Sequence, residues 1–150
     1  MGAAPNVLED CLIAIVDDDA PLRQAIGSLL HSIGYRALGL CSAEEFLYRL
    51  RSIPAACLIV DVGLPGMSGL DLQRHLAATG VRVPIVVMTA QPDRDGHLRT
   101  QALQAGALAL LNKPFAEKDL LSMVEVACGR ESTLAKHGRD PIQRLRRTTP

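Results

Sequence analysis

Tryptophan is absent from this chain, and phenylalanine and tyrosine occur only twice each. With so few large rings the core has to be aliphatic, built from Leu, Ile, Val and Ala. No apolar run approaches the roughly 18–20 residues that a membrane-spanning helix requires. The opening Met1-Gly2-Ala3-Ala4-Pro5-Asn6 has neither the basic nor the apolar stretch of a secretory signal. No CxxC pair occurs, and no His stands at zinc spacing from Cys11, Cys41, Cys57 or Cys128. Reduced cysteines in or near the core are therefore expected, rather than a disulfide framework or a thiolate metal cage. Charge of one sign is lacking too: 16 basic residues face 16 acidic ones, which gives no bulk pull toward nucleic acid or a membrane surface. These absences read as a soluble, cytoplasmic protein with no membrane partner and no direct nucleic-acid binding.

What is present is enough apolar material for one core: 150 residues, 48% of them hydrophobic. The neutral total hides a division. Residues 129–150 hold six basic side chains against two acidic ones, net +4, which leaves net −4 for residues 1–128. The chain divides into a folded domain over about 10–128 and a basic C-terminal tail, or the start of a linker, over 129–150.

Strand-like and helix-like runs alternate along the domain. Leu12-Ile13-Ala14-Ile15-Val16 is a continuous apolar run, as a strand buried on both faces needs. Leu22, Ile26, Leu29, Leu30 and Ile33 follow at helical spacing, closed by Gly34. Tyr35 to Leu40 reads as a second strand. Ser42-Ala43-Glu44-Glu45 has the pattern of a capping box opening a helix over 43–51. Further strands are expected over Cys57 to Val60, Val83 to Met88 and Ala107 to Leu111. Further helices are expected from Ser68 to Gly80, over 97–105 and over 117–128. Five alternations of this kind predict an α/β fold: a doubly wound, five-stranded parallel sheet of flavodoxin-like class, strand order 2-1-3-4-5.

Ligands of such sheets bind beyond the carboxyl ends of the strands, where the strand order reverses. The first and third strands flank that point and end in Asp17-Asp18-Asp19 and Asp61. The fourth and fifth deliver Thr89 and Lys113 to the same edge. Converging carboxylates repel unless a cation joins them, and oxygen-only ligands at an open site suit Mg²⁺ better than zinc. Asp19 also has the position of a helix N-cap.

The segments Ile15-Val16-Asp17-Asp18-Asp19, Val60-Asp61-Val62-Gly63-Leu64-Pro65-Gly66-Met67-Ser68-Gly69, Met88-Thr89-Ala90 and Lys113-Pro114-Phe115 resemble the receiver domain of bacterial two-component response regulators. The resemblance covers about residues 10–128. Ser42-Ala43-Glu44-Glu45-Phe46-Leu47 resembles the FixJ-like subfamily, whose full-length members carry a LuxR-type helix-turn-helix. The resemblance implies a phosphorelay protein and not an enzyme. Asp61 would accept a phosphoryl group from a sensor histidine kinase or phosphotransfer protein. Asp18, Asp61 and the Gly63 carbonyl would bind Mg²⁺, with Asp17 acting largely through water. Thr89 and Lys113 would hold phosphoryl oxygens. It also implies a weak homodimer through the fourth helix, fifth strand and fifth helix, strengthened by phosphorylation, with Leu98, Arg99, Ala102, Leu103, Lys118, Asp119 and Glu125 on that face.

Three positions depart from the family pattern. Leu110 stands where an aromatic usually swings with the Thr, so the switch at Thr89 and Leu110 is expected to be read out through the Gln91–Gly96 loop. Thr89 to Gly106 is about two residues longer than usual. Gly63 replaces a larger residue beside the phosphoacceptor. A second reading is the receiver fragment of a longer DNA-binding regulator, since Leu145-Arg146-Arg147-Thr148-Thr149-Pro150 resembles the linker before such a domain. A third is an Asp-nucleophile phosphatase, for which Asp17 and Asp19 have the spacing; it would leave Asp61 unused and needs a cap domain this length does not accommodate.

Overall fold

The computed structural model describes residues 11–129; the basic segment expected from 129 onward lies, past Gly129, outside the described residues. Strands and helices alternate as β1 (Leu12–Val16), α1 (Ala20–Ile33), β2 (Arg36–Leu40), α2 (Ala43–Arg49), β3 (Ala55–Asp61), α3 (Gly69–Ala78), β4 (Ile85–Thr89), α4 (His97–Gln104), β5 (Ala109–Asn112) and α5 (Glu117–Ala127). All strand pairs are parallel, in the order β2-β1-β3-β4-β5. β1 and β4 are buried at every position, because helices cover both faces of the sheet and leave no polar alternation to read.

Alternate strand residues feed two cores. Ala14, Val16, Leu58, Val60 and Val87 point to the layer of α2, α3 and α4, where Phe46, Leu72 and Leu76 are fully buried. Ile13, Ile15, Ile59, Val86 and Met88 point to the layer of α1 and α5, with Ile26, Leu30, Leu120 and Met123. The buried residues are overwhelmingly aliphatic, as the shortage of aromatics demands. Cys57 lies in this second core, Cys11 and Cys128 are half-buried, Cys41 is exposed, and none of the four is in a disulfide.

The ends of the elements hold several corrections. α2 runs only to Arg49, and its last turn tightens into a 3₁₀ turn over Leu50–Ser52. The box expected at Ser42 forms by half: Ser42 Oγ accepts from Glu45 N at 3.0 Å, but Glu45 turns to the amide and thiol of Cys41. The complete reciprocal box opens α3, where Ser68 Oγ accepts from Asp71 N and Asp71 accepts from Ser68 N. β4 starts at Ile85 because Pro84 has no N–H to give a ladder; its carbonyl accepts from Leu58 N. β5 starts at Ala109 because Gly106 and Ala107 bond back to Leu103 and Ala102, capping α4.

Candidate functional site

Three strand ends assemble the site. Asp17 closes the ladder of β1, its amide donating to Leu40 O at 3.1 Å. Asp61 is the last residue of β3, level with Met88 of β4. Lys113 follows β5, and its amide donates to Thr89 O at 2.7 Å. One carboxylate oxygen from each of Asp17, Asp18 and Asp61 lies within 4.8 Å of the others. Asp17 is fully buried and Asp61 nearly so, while Asp18 is exposed. Lys113 Nζ bridges the two buried members, 2.9 Å from Asp17 Oδ2 and 3.2 Å from Asp61 Oδ1. Asp19 stands apart from this cluster as the N-cap of α1, accepting from Leu22 N at 3.2 Å, and its own amide donates to Asp17 Oδ1 at 2.9 Å. The Lys113–Pro114 peptide is cis.

The electrostatics follow from burial. Removal from water pushes the Asp61 carboxyl above the usual carboxylate range, and the Asp17 charge pushes the same way; the Lys113 ammonium and the Gly63 amide offset part of this. Burial also works against the charge on Lys113. The hydrogen bond to Asp17 and the two carboxylate charges outweigh it, so Lys113 holds its proton more tightly than a free lysine. Three carboxylates against one ammonium leave a formal charge of −2 at an opening to solvent. That charge and an all-oxygen donor set fit a divalent hard cation that keeps part of its water, which is the chemistry of Mg²⁺.

The loop after Asp61 is held closely. Gly63 is exposed beside Asp61 Oδ2. Gly69, the first residue of α3, lies so near the Asp61 carbonyl that a β-carbon there would collide with Asp61 O. Thr89, buried at the end of β4, accepts through Oγ1 from Gln91 N at 3.0 Å, so its side chain is tied to the loop leading to α4. That loop, with Asn112, Arg99 and Lys113, borders a cavity of about 470 Å³ next to Thr89. Asp93 caps α4 from a distance, accepting from Leu98 N at 2.9 Å and Arg99 N at 3.1 Å, since Gly96 has no side chain to do so.

Leu110 is buried on β5 in the layer of α2, α3 and α4, beside Val87 and Ala102. Ala102 is itself fully buried, which corrects its expected place on an exposed α4–β5–α5 face: it is the anchor of α4 to the sheet. Leu98 is partly buried against the same core. Lys118 and Asp119 are exposed. Three residues escaped the sequence reading: Arg23, which donates Nη1 to Asp17 O at 2.6 Å; Glu44, which accepts from Met67 N at 2.6 Å; and Gln73, buried on α3 and bonded to Ala102 O at 2.7 Å. A buried Gln inside an otherwise leucine-lined helix face was the only visible signal among them.

Comparison with known proteins agrees with this geometry. The family model described as the response regulator receiver domain matches residues 13–125. The response regulator protein TmoT of Ectopseudomonas mendocina is 40% identical over 119 residues, covering 79% of this chain and 53% of TmoT. The transcriptional regulatory protein FixJ of Bradyrhizobium diazoefficiens is 33% identical, covering 83% of this chain and 60% of FixJ. A crystal structure of FixJ-N superposes with a TM-score of 0.73 at 30% identity, covering 81% of this chain and 96% of that one. The chain spans about half the length of curated relatives it matches. Among the described residues no helix is long and apolar enough to cross a membrane. A parallel 2-1-3-4-5 sheet with three carboxylates and a bridging lysine at its switch point, matched by family model and relatives alike, makes the chain a member of the response regulator receiver domain family, similar to its FixJ-like branch.

Proposed function

We propose that Asp61 is the phosphoacceptor of a cytoplasmic phosphorelay, receiving its phosphoryl group from the phosphohistidine of a sensor kinase or phosphotransfer protein. The observation that carries this reading is the Lys113 ammonium bridging Asp17 and Asp61 within a cluster of net charge −2. Asp18, Asp61 and the Gly63 carbonyl would hold Mg²⁺, with Asp17 acting largely through water; the bound cation supplies neutralising charge beside the phosphoryl oxygens. An Asp61 oxygen attacks phosphorus in line as the donor's P–N bond breaks. Lys113 already lies within 3.2 Å of Asp61 and needs only a small turn of its chain to meet a phosphoryl oxygen. The protein acts here as a switch rather than an enzyme.

Thr89 supplies the readout. Its hydroxyl proton is free for a phosphoryl oxygen, while Oγ1 accepts from Gln91 N, so a movement of Thr89 pulls the backbone of the 91–96 loop. Leu110 takes part only by filling space beneath α4, and α4–β5–α5 forms a small reversible homodimer surface in the phosphorylated state. Residues 10–128 form this receiver, and 129–150 serve as a tail or linker; relatives of about twice the length support the linker.

Intact-mass analysis after incubation with acetyl phosphate and Mg²⁺ tests the assignment. One phosphoryl adduct is expected, absent with Asp61→Asn or with EDTA. An adduct that persists in Asp61→Asn would overturn it. Sedimentation velocity with and without beryllofluoride tests the dimer, and identical profiles would count against it.

A further inference from the structure

Two glycines near the acidic cluster make room for charged side chains from neighbouring helices. A β-carbon on Gly39 of β2 would lie 2.9 Å from Arg23 Cδ, and one on Gly66 would lie 2.7 Å from Glu44 Oε1. The two side chains do the same kind of work. Arg23, in the first turn of α1, lays its stem over Gly39 and donates Nη1 to the Asp17 carbonyl at 2.6 Å. Glu44, in the first turn of α2, reaches over Gly66 and accepts from Met67 N at 2.6 Å. The first bond fixes the backbone of the turn that carries Asp17 and Asp18. The second fixes the loop that carries Gly63 by holding Met67, 23 residues from Glu44 in sequence. Both bonds are charge-assisted and short, and both end on main chain rather than on a carboxylate of the cluster.

We propose that Arg23 and Glu44 are a pair of positioning residues for the divalent-cation site, each holding the backbone of one ligand-bearing loop, with Gly39 and Gly66 as their seats. The inference rests on the reading of the cluster as a Mg²⁺ site. It separates cleanly from simple electrostatics. Arg23 is a cation near a cation site, so by charge alone its removal strengthens Mg²⁺ binding; as a positioning residue its removal weakens it. Glu44→Gln deletes a negative charge yet keeps the Oε1 acceptor, so charge alone predicts a loss and positioning predicts none.

Isothermal titration of the full chain with MgCl₂, checked with Mn²⁺ by electron paramagnetic resonance, provides the test. Arg23→Ala and Glu44→Ala are each expected to weaken binding about 3–10-fold, below the roughly 10–100-fold of partners that bond the metal ligands' own side chains, because both bonds end on main chain. Glu44→Gln is expected within about twofold of the parent. Arg23→Lys keeps the charge but lacks the planar fork and is expected to fall between parent and Arg23→Ala, which serves if the alanine variant unfolds. Hydrogen exchange at the Met67 amide reads the second bond directly, rising in Glu44→Ala and unchanged in Glu44→Gln. Tighter Mg²⁺ binding in Arg23→Ala, or Glu44→Gln as weak as Glu44→Ala, would overturn the positioning role. A parent chain that binds no Mg²⁺ would instead overturn the metal reading beneath it.

Discussion

The half of the site built on β1 and β3 and the half built on β4 and α4 are made differently. In the first, Asp17 and Asp61 are buried, Lys113 spans them, and Arg23 and Glu44 hold the adjoining main chain. Gly69 brings α3 up against the Asp61 carbonyl, and a full capping box fixes the start of that helix. In the second, α4 has eight residues and a single fully buried side chain, Ala102. Its N-terminus is capped by Asp93 from the preceding loop, and its C-terminus is held by the Gln73 amide. One half is over-determined by packing and charge; in the other β4 is buried, but α4 is held by Ala102, a partly buried Leu98 and a few polar bonds at its ends. A phosphoryl group seated in the first would find its compliant neighbour in the second, which is where segments that change state are drawn from.

The largest expected effect sharpens that contrast. Leu72→Ala in α3 removes a fully buried side chain and should cost about 2–5 kcal/mol in urea unfolding; a cost below ~1 kcal/mol would mean that α3 is no more firmly packed than α4. Gly69→Ala comes next. Its β-carbon meets the Asp61 main chain, so a loss of about 1–3 kcal/mol should accompany weaker phosphorylation at Asp61, measured on the same preparation. Asp93→Ala should cost only about 1 kcal/mol, concentrated in faster amide exchange across α4 with β1 and β3 untouched. Equal exchange gains on both sides would break the comparison.

The next effect is smaller and depends on pH. The Asp61 carboxyl lies above its ordinary value in the fold, so the native state binds its proton more tightly than the unfolded chain does. Once pH exceeds both values, the ionised group detracts from stability. Asp61→Asn without Mg²⁺ should therefore melt a few degrees higher at pH 7, and the gain should shrink as pH falls through the raised value toward the ordinary one. Differential scanning fluorimetry over pH 4–8 checks it, and a lower melting temperature at pH 7 contradicts it. Leu110→Tyr is the smallest. If readout runs through the Thr89–Gln91 bond, as proposed, beryllofluoride-dependent assembly should change less than about threefold.

Much of this was legible beforehand, and for a physical reason. Parallel strands buried on both faces are continuous apolar runs, and β1 begins and ends where Leu12 and Val16 predict. Once the alternation sets the topology, strand ends share an edge, which brings Asp17, Asp18, Asp61, Thr89 and Lys113 together with no tertiary knowledge. What failed were choices between equivalent local partners. Glu45 matches the capping template yet bonds Cys41, while Asp71, a shorter acid, closes the box at Ser68. Ala102 looks like one more apolar residue on a mixed face, and only the packing of α4 decides that it points inward. Arg23 and Glu44 were illegible because their main-chain partners, six and 23 residues away, lie outside any local capping pattern.

The four thiols form a graded scale of depth. Glu45 holds the exposed Cys41 thiol above its ordinary value by hydrogen bond and charge, and burial pushes Cys57 far higher still. Only a thiolate reacts with an alkylating reagent. Cys41 should therefore label slowly in the native protein and Cys57 only after the sheet itself opens. Cys57 sits four residues before Asp61 on β3, so its labelling rate is a clock on the strand that carries the proposed phosphoacceptor, readable by mass with no cysteine introduced.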